Sequence, residues 1–462
     1  MSAPAASAAP AAPPRPAPGP PRPYHFPAFE RRTLPNGLRL VVAPIRRLPV
    51  VSVAAVVDAG AAADPAGREG LAVLTARALD EGTASYDALA LADRVERLGA
   101  SLAAGADWDS AVVSLTTLTP KLADAFAVMA EVLARPTFPE REIARLREER
   151  LADLLHVRSD PGALADAAFA EAVYGPASRF GRPEGGGEAA VRALTRDAVA
   201  AFHAARYTPA ATTLVVAGDV TADDAERLVA QALGDWRGGA PAPAAADDRP
   251  AAEGRRTRLV VKPDAVQCEL RLGHVGPPRA TPDYLPLAVM NSILGGLFNS
   301  RVNLNLRERH AFTYGARTGF DWRRSAGPFA AESAVASDKA VAATRELLAE
   351  IERMRDEPVA AEELSLATSY LDGVFPIRYE TTSAVASALT ALTIYELPDD
   401  YFDTYRDRVR AVTAADVQRV ARAHLRPDAL QLVVAGPAGV EGELAALGVG
   451  PVAVTPADEV AR

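Results

Sequence analysis

Hydrophobic and polar positions follow two different periods along the chain, and the change from one period to the other marks the predicted elements. Short apolar runs at Leu38–Val42 and Val50–Val57 predict β-strands. Apolar residues three and four apart after Gly70 and at Tyr86–Leu98 predict helices. The same reasoning predicts further strands at Ser101–Ala104, Ser110–Leu115 and Thr212–Ala217, and helices at Pro120–Leu133 and Ala222–Leu233, with a long charged helix ending at Leu155.

The pattern then starts again, because the chain contains an internal duplication. The run RLVVAP at Arg39–Pro44 recurs as RLVVKP at Arg258–Pro263, an offset of 219. Near the other end, Ala193–Gly218 matches Ala411–Gly436 at an offset of 218 without a gap, and both stretches finish in LVVAG. Two copies of one structural unit are therefore predicted.

The duplication sets the domain organisation of the 462 residues. Residues 1–28 form a disordered tail, since positions 1–23 hold nine prolines and eight alanines. Residues 29–237 and 255–462 are the two copies, and the aperiodic stretch 238–254 is a linker. Strands and helices occur in mixed order, which predicts an α+β class with helices layered on a mostly antiparallel sheet in each copy. The two halves are expected to face each other as a clamshell with a binding cavity between them.

Composition excludes several classes of function. A formal charge of -9 argues against a nucleic-acid surface. No run of about 18 apolar residues is present, so no membrane span is predicted. The single Cys268 excludes an intramolecular disulfide and a cysteine-rich metal site.

Specialised residues are densest between Leu294 and Tyr314. A Gly295-Gly296 pair precedes an amphipathic segment, and Arg307 lies seven residues before Tyr314. Two further helical turns, or a helix-to-strand turn, would bring the guanidinium and the phenol together. Such a pair suits a peptide backbone, because both side chains donate hydrogen bonds to carbonyl oxygens.

The order of motifs resembles the pitrilysin/insulinase family of zinc metallopeptidases, in particular its short bacterial and mitochondrial-processing-type members. The resemblance covers nearly the whole folded chain. It rests on the stretches LPNGLRLVV, AGAAADPAGREGLA, DEGTASYDALALADRVERLGASLAA, RPTFPEREIARLREER and ILGGLFNSRVNLNLRERHAFTYGA.

In the family, the helix after Gly-Leu-Ala carries an inverted zinc motif, H-x-x-E-H. By resemblance, its positions are Val73, Ala76 and Arg77 here, so both histidine ligands and the glutamate base are absent. The third ligand of the family, a glutamate, aligns with Asp153. The resemblance therefore implies degenerate metal-site positions and no zinc bound by this chain.

The second-half motif of the family is intact by the same comparison. In catalytic pairs, an arginine and a tyrosine at the positions of Arg307 and Tyr314 hold the substrate backbone and stabilise the oxyanion at the zinc of the facing half. The resemblance thus implies a non-catalytic subunit of a heterodimer, inactive by itself. A zinc-motif homologue would supply the metal, the substrate would be an unstructured peptide, and a strand edge of the first half would bind it by β-addition.

The sequence is also compatible with two alternatives. The first is a structural or peptide-binding clamshell with no role in proteolysis. The second, less favoured, is a self-sufficient hydrolase that uses the carboxylates Glu148, Glu149 and Asp153, which a charged helix usually presents to solvent. Lack of a signal-peptide core predicts a cytoplasmic bacterial protein, with the envelope or periplasm as the alternative because family pairs often work there.

Overall fold

The computed structural model describes residue 19 and residues 22–244, 248–251 and 253–460. Most of the tail predicted at 1–28 and part of the linker predicted at 238–254 lie outside the described residues. The rest of the chain contains two six-stranded sheets with helices packed against them. The predicted α+β class and the two duplicated halves facing each other as a clamshell are confirmed.

The first sheet is built from residues of the first half. Its strands are β1 (Glu30–Thr33), β2 (Arg39–Pro44), β3 (Val50–Val57), β4 (Ser101–Ala106), β5 (Ala111–Leu118) and β6 (Thr212–Gly218). They lie in the order β1-β2-β6-β3-β5-β4. Only β2 and β6 run parallel, so the prediction of a mostly antiparallel sheet is confirmed.

The second sheet repeats this arrangement. Its strands are β7 (Arg256–Val261), β8 (Gln267–Val275), β9 (Ala316–Phe320), β10 (Pro328–Ala336), β11 (Gln431–Gly436) and β12 (Val452–Pro456). They lie in the order β12-β7-β11-β8-β10-β9. Five strands of each sheet correspond in order. Only the sixth strand differs. In the first sheet it is β1, the first strand of its half, which pairs antiparallel with β2. In the second sheet it is β12, the last strand of its half, which pairs parallel with β7.

Helices cover both sheets. Those of the first half are α1 (Leu71–Arg77), α2 (Ala88–Arg97), α3 (Leu122–Ala134), α4 (Glu140–Ser159), α5 (Pro161–Tyr174), α6 (Glu188–Ala193), α7 (Arg196–Arg206) and α8 (Ala222–Leu233). Those of the second half are α9 (Tyr284–Asn291), α10 (Arg301–Asn303), α11 (Ala340–Asp356), α12 (Ala361–Arg378), α13 (Thr382–Ile394), α14 (Tyr401–Arg410), α15 (Ala414–His424) and α16 (Glu441–Leu447). None of the helices in the described part of the chain combines the length and apolar content needed to span a bilayer.

The two halves exchange a helix. Helix α5 of the first half packs on β8 and β11 of the second sheet, and α13 of the second half packs on β3 and β6 of the first sheet. The two helices occupy corresponding places in the duplication. This explains why β3 and β6 read as continuous apolar runs: central strands covered on both faces bury nearly every side chain. By contrast, β5 alternates between buried and exposed positions.

A second contact between the halves joins two hairpin loops, β4–β5 and β9–β10. The guanidinium of Arg323 lies 4.5 Å from the ring centre of Trp108 and 4.9 Å from that of Phe180. The backbone N–H of Arg324 donates to Asp109 at 2.9 Å. Because these side chains come from both halves and are largely buried, the junction couples the halves electrostatically.

The carboxyl group of Glu184, at this junction, makes the stability of the folded chain depend on pH. Burial, together with the nearby Asp107 and Asp321, raises the pKa of Glu184 to about 7, although Arg323 and Arg179 oppose the shift. Between an ordinary glutamate pKa and about 7, the folded chain therefore binds a proton that the unfolded chain releases. The free energy of unfolding consequently falls as the pH rises through this window.

We expect Glu184→Gln to raise the free energy of unfolding at pH 8, where the wild-type carboxylate is charged, by on the order of 1–2 kcal/mol after allowance for solvent screening. Most of the gain should disappear at pH 5. Urea denaturation at both pH values measures the effect. Glu188→Gln is the matched control: hydrogen bonding to Arg158 lowers the pKa of Glu188, so this change should not stabilise at pH 8. An equal gain at both pH values for Glu184→Gln would contradict the charge argument.

Residues 24–28, which fall within the tail predicted at 1–28, include side chains that pack against the second half. Phe26 is buried, and its ring stacks on Phe402 with ring centres 4.4 Å apart. The hydroxyl of Tyr24 donates to the carbonyl of Tyr379 at 3.2 Å. The proline-rich composition set the boundary at residue 28, but two aromatic residues are enough to anchor the preceding segment to the second half.

Candidate functional site

Helix α1, which carries the degenerate metal-site positions, is fixed at its start by Asp64. Its carboxylate accepts from the backbone N–H of Gly70 at 2.7 Å and of Ala72 at 2.8 Å. The Arg179 guanidinium donates to the same carboxylate at 2.9 Å. Gly70 has φ = +93°, and a Cβ there would lie 2.4 Å from the carbonyl oxygen of Gly185. The entry to α1 is thus held by a buried charge and a position that favours glycine.

The structure places Val73, Arg77 and Asp153 on the facing surfaces of α1 and α4. Arg77 Nη2 donates to Glu149 Oε2 at 3.1 Å, and Arg77 Nη1 lies 3.9 Å from Asp153 Oδ2. Val73 and Arg77 line a residual cavity of about 20 Å³. Ala76 is fully buried in the core. The nearer partner of Arg77, Glu149, was not assigned to this site from the sequence.

These residues do not fit a zinc ion. Val73 and Ala76 have no lone pair to donate, and the guanidinium of Arg77 brings a positive charge to the position of a ligand. Nowhere in the described residues do three His, Cys, Asp or Glu side chains group so as to hold a metal. Glu149 also pairs with Arg145, so two guanidinium groups already engage this carboxylate.

Arg307 lies on a π-helical segment, Leu304–Arg309, which follows α10 directly. Its guanidinium packs over the ring of Phe298 at 4.5 Å, and its Nε lies 3.5 Å from Glu308 Oε1. About a third of the side chain is exposed, at 34%. Sequence reasoning did not single out Phe298, whose ring nevertheless orients the guanidinium.

Tyr314 follows a sharp turn rather than two further helical turns. The chain reverses at Ala311, which has φ = +51°, and Tyr314 precedes β9 with 95% of its surface exposed. Arg307 and Tyr314 both line one cavity of about 550 Å³, together with Gln267 and Phe312. Of the two geometries considered from the sequence, the helix-to-strand turn is the one observed. All residues lining this cavity belong to the second half, so it is not a cavity between the halves.

The outer edge of β9 is closed by side chains. Asn303 Oδ1 accepts from the N–H of Ala316 at 3.2 Å, and Asn291 Nδ2 donates to the carbonyl of Thr318 at 3.1 Å. Gly295 packs against the same edge, since a Cβ there would lie 2.3 Å from the nitrogen of Thr318. Close packing is therefore the structural role of Gly295, and no further strand can pair with β9 at these groups.

The corresponding edge strand of the first sheet, β4, is open by comparison. It lies beside α1. Within residues 22–244, the one side chain that hydrogen-bonds to its backbone is Ser114, which lies on the paired strand β5 and donates to Ala103. An unpaired strand edge of this kind is a template for an added peptide strand.

Two family models match the chain. The model described as insulinase (peptidase family M16) matches residues 41–179, and the model described as peptidase M16 inactive domain matches residues 193–371. The second match includes Arg307 and Tyr314. Together the two models cover more than half of the chain.

Relatives and solved structures agree with these matches. An uncharacterized zinc protease of Mycobacterium tuberculosis is 26% identical over 90% of this chain and 95% of its own length, and one of Streptomyces coelicolor is 24% identical over 85% and 86%. The peptidase M16 inactive domain from Pseudomonas fluorescens superposes with a TM-score of 0.83 at 28% identity, covering 88% of this chain and 98% of that one. A protease from Helicobacter pylori, at 19% identity and a TM-score of 0.79 over 89% and 100%, shares the fold. The chain therefore belongs to the M16, or insulinase, family of peptidases.

Proposed function

We propose that this chain is the non-catalytic subunit of a heterodimeric zinc metalloendopeptidase. It binds an extended peptide and supplies Arg307 and Tyr314 to the zinc site of a catalytic, zinc-motif partner. The main support for this proposal is that Arg307 and Tyr314 line one open cavity. The position of the metal on α1, in contrast, is occupied by Arg77 and its ion pairs. A chain built in this way offers transition-state donors without a metal of its own.

Each residue has a defined task in this proposal. The guanidinium of Arg307, oriented by Phe298, donates to the substrate carbonyl, and the exposed hydroxyl of Tyr314 donates a second hydrogen bond. Donors of this type stabilise the oxyanion that forms when water attacks a peptide carbonyl. The partner supplies the zinc and the base. The open edge of β4 receives part of the extended peptide as an added strand.

The test is hydrolysis of an unstructured peptide by this chain alone, by a zinc-motif homologue alone, and by the two mixed. We expect activity to rise only in the mixture. Arg307→Ala and Tyr314→Phe should each lower kcat/KM of the mixture by about 10- to 100-fold, because each removes a donor to the developing negative charge.

Arg309→Ala and Tyr370→Phe are the matched controls, because both residues are exposed and neither lines this cavity. They should leave the rate within about twofold. Unchanged activity of Arg307→Ala and Tyr314→Phe would contradict the proposed roles. A mixture no more active than its parts would favour the alternative of a structural or peptide-binding clamshell.

A further inference from the structure

Arg307 is carried by a helical segment that is wider than an ordinary α-helix. In the π-helical segment Leu304–Arg309, the backbone N–H of His310 donates to the carbonyl of Asn305, five residues back, at 3.1 Å. Helical turns of this kind are rare and occur mostly at functional sites. Because the conformation is rare, contacts outside the segment are needed to hold it.

The first half shows that the fold itself does not require a π-helical turn here. Helix α2 precedes the edge strand β4, just as α10 and the π-helical segment precede the edge strand β9. Helix α2 is an ordinary α-helix of ten residues, and an exposed ion pair, Arg94 with Asp124 at 3.7 Å, joins it to α3. The π-helical segment therefore belongs only to the half that carries Arg307.

Asn305 attaches the π-helical segment to α11. Its Nδ2 donates to Glu346 Oε2 at 3.0 Å and to Glu350 Oε1 at 2.7 Å. Asn305 and Glu350 are buried, with 3% and 2% of their surfaces exposed. Hydrogen bonds to charged groups are stronger than those between neutral groups, and burial strengthens them further. The amide thus fixes one face of the segment to two carboxylates of the neighbouring helix.

The two ends of the Asn305 amide differ in what they contribute. The carboxylate of Glu350 has its counter-charge on its own helix, because Arg353 Nη1 donates to both of its oxygens at 3.0 Å. Asn305 Oδ1, in contrast, is buried and has no hydrogen-bond partner among the described residues. An unpaired buried carbonyl oxygen costs free energy. The contribution of Asn305 therefore comes from its two N–H donors, which only an amide of this length directs at both carboxylates.

Arg307 has no buried anchor of its own. Residues two apart do not share a helix face, so Arg307 points away from α11 when Asn305 points toward it. Within the described residues, its guanidinium lies against the exposed ring of Phe298 and beside the exposed carboxylate of Glu308. The direction of the guanidinium therefore depends on where the π-helical segment places its backbone.

We propose that Asn305 is a positioning residue for Arg307. By donating to Glu346 and Glu350, it holds the π-helical segment in the place from which Arg307 reaches the substrate carbonyl. The catalytic consequence rests on the proposed function, whereas the attachment of the segment is a property of this chain alone.

Hydrogen–deuterium exchange of the full-length chain alone measures the attachment. We expect Asn305→Ala to raise the rate of deuterium uptake of residues 304–312 by at least about tenfold, because the segment opens more often. Asn36→Ala is the matched control. Asn36 Nδ2 also donates to two acceptors, the carbonyls of Leu233 at 2.8 Å and Trp236 at 3.3 Å, but it lies in the first half. Uptake of residues 304–312 unchanged by Asn305→Ala, or raised equally throughout the second half, would overturn the inference.

Kinetics of the mixture with a zinc-motif homologue measure the effect on Arg307. We expect Asn305→Ala to lower kcat about tenfold and to leave KM within about twofold, because a donor to the transition state is misplaced. When Arg307 is already alanine, the same change should alter kcat/KM by less than about twofold, since Asn305 acts through Arg307. Equal losses in both backgrounds would indicate a general loss of structure and overturn the positioning role.

Glu346→Gln weakens the same attachment without leaving a cavity. The Glu346 side chain is 31% exposed, so this variant is expected to fold. It removes the charge from one acceptor of the Asn305 amide, and it should change both the deuterium uptake and kcat in the same direction as Asn305→Ala, by about two- to threefold. An effect on neither quantity would contradict the part assigned to Glu346.

The two measurements separate this inference from the proposed function. Faster local exchange in Asn305→Ala, together with an inactive wild-type mixture, would contradict the role in proteolysis and support Asn305 as the anchor of the segment. An active wild-type mixture that is impaired by Arg307→Ala but not by Asn305→Ala would have the opposite meaning.

Discussion

Asp64→Ala is expected to lower the free energy of unfolding by about 3–5 kcal/mol, because it leaves a buried guanidinium without its counter-charge. The Asp64 side chain is fully buried and that of Arg179 is 9% exposed. The change also removes the acceptor for the backbone N–H groups of Gly70 and Ala72 at the start of α1. Urea denaturation followed by tryptophan fluorescence measures it, since Arg179 lies 4.9 Å from the ring centre of Trp108.

Asp87→Ala is the matched control for this measurement. Asp87 caps α2 in the same chemical way, accepting from Ala90 at 2.8 Å, but in an exposed position and without a buried arginine. Its loss should cost about 1 kcal/mol. If the two changes lower the free energy of unfolding equally, the buried ion pair of Asp64 with Arg179 contributes nothing beyond the helix cap, which would contradict this prediction.

The side chains around Asp64 and Arg77 hold α1 in place through contacts within the protein itself. In this chain the ion pairs of Arg77 with Glu149 and Asp153 connect α1 and α4, and Asp64 fixes the start of α1 independently. These contacts also hold α1 beside β4, the strand whose open edge we propose to receive the peptide.

Much of the fold could be predicted from local patterns. The apolar run of β3 gave that strand to the residue, whereas the prediction for β5 ended at Leu115 and the strand continues to Leu118. The duplication implied two similar sheets, which the structure contains. The exchange of α5 and α13 was not predicted, because both helices are rich in alanine and have no marked polar face from which a packing partner could be inferred.

The candidate site could be predicted only in part. The spacing of Arg307 and Tyr314 left two geometries open, and a left-handed residue at Ala311 selects the turn. No local pattern indicates that conformation for an alanine. The cross-strand neighbours Arg271 and Glu332 were not singled out, because they come together only when β8 and β10 pair.

Phe26→Ala is the second change with a large expected effect, a loss of about 3–5 kcal/mol in the free energy of unfolding. The Phe26 ring packs against Phe402 at 4.4 Å and edge-on against Tyr379 at 5.5 Å between ring centres. Truncation leaves a cavity in a cluster of aromatic rings that few other groups can fill. The same denaturation experiment measures the loss.

His25→Ala provides the control, because the neighbouring side chain is exposed and should change stability by less than about 0.5 kcal/mol. The comparison of Phe26→Ala with His25→Ala also tests the contact between the segment before β1 and the second half. Since Arg406 donates to the carbonyl of Arg22 at 2.9 Å, the segment before the first strand is attached to α14 at two points. If Phe26→Ala costs no more than His25→Ala, this attachment does not form in solution, and the ordered chain starts at Phe29 as its composition predicts.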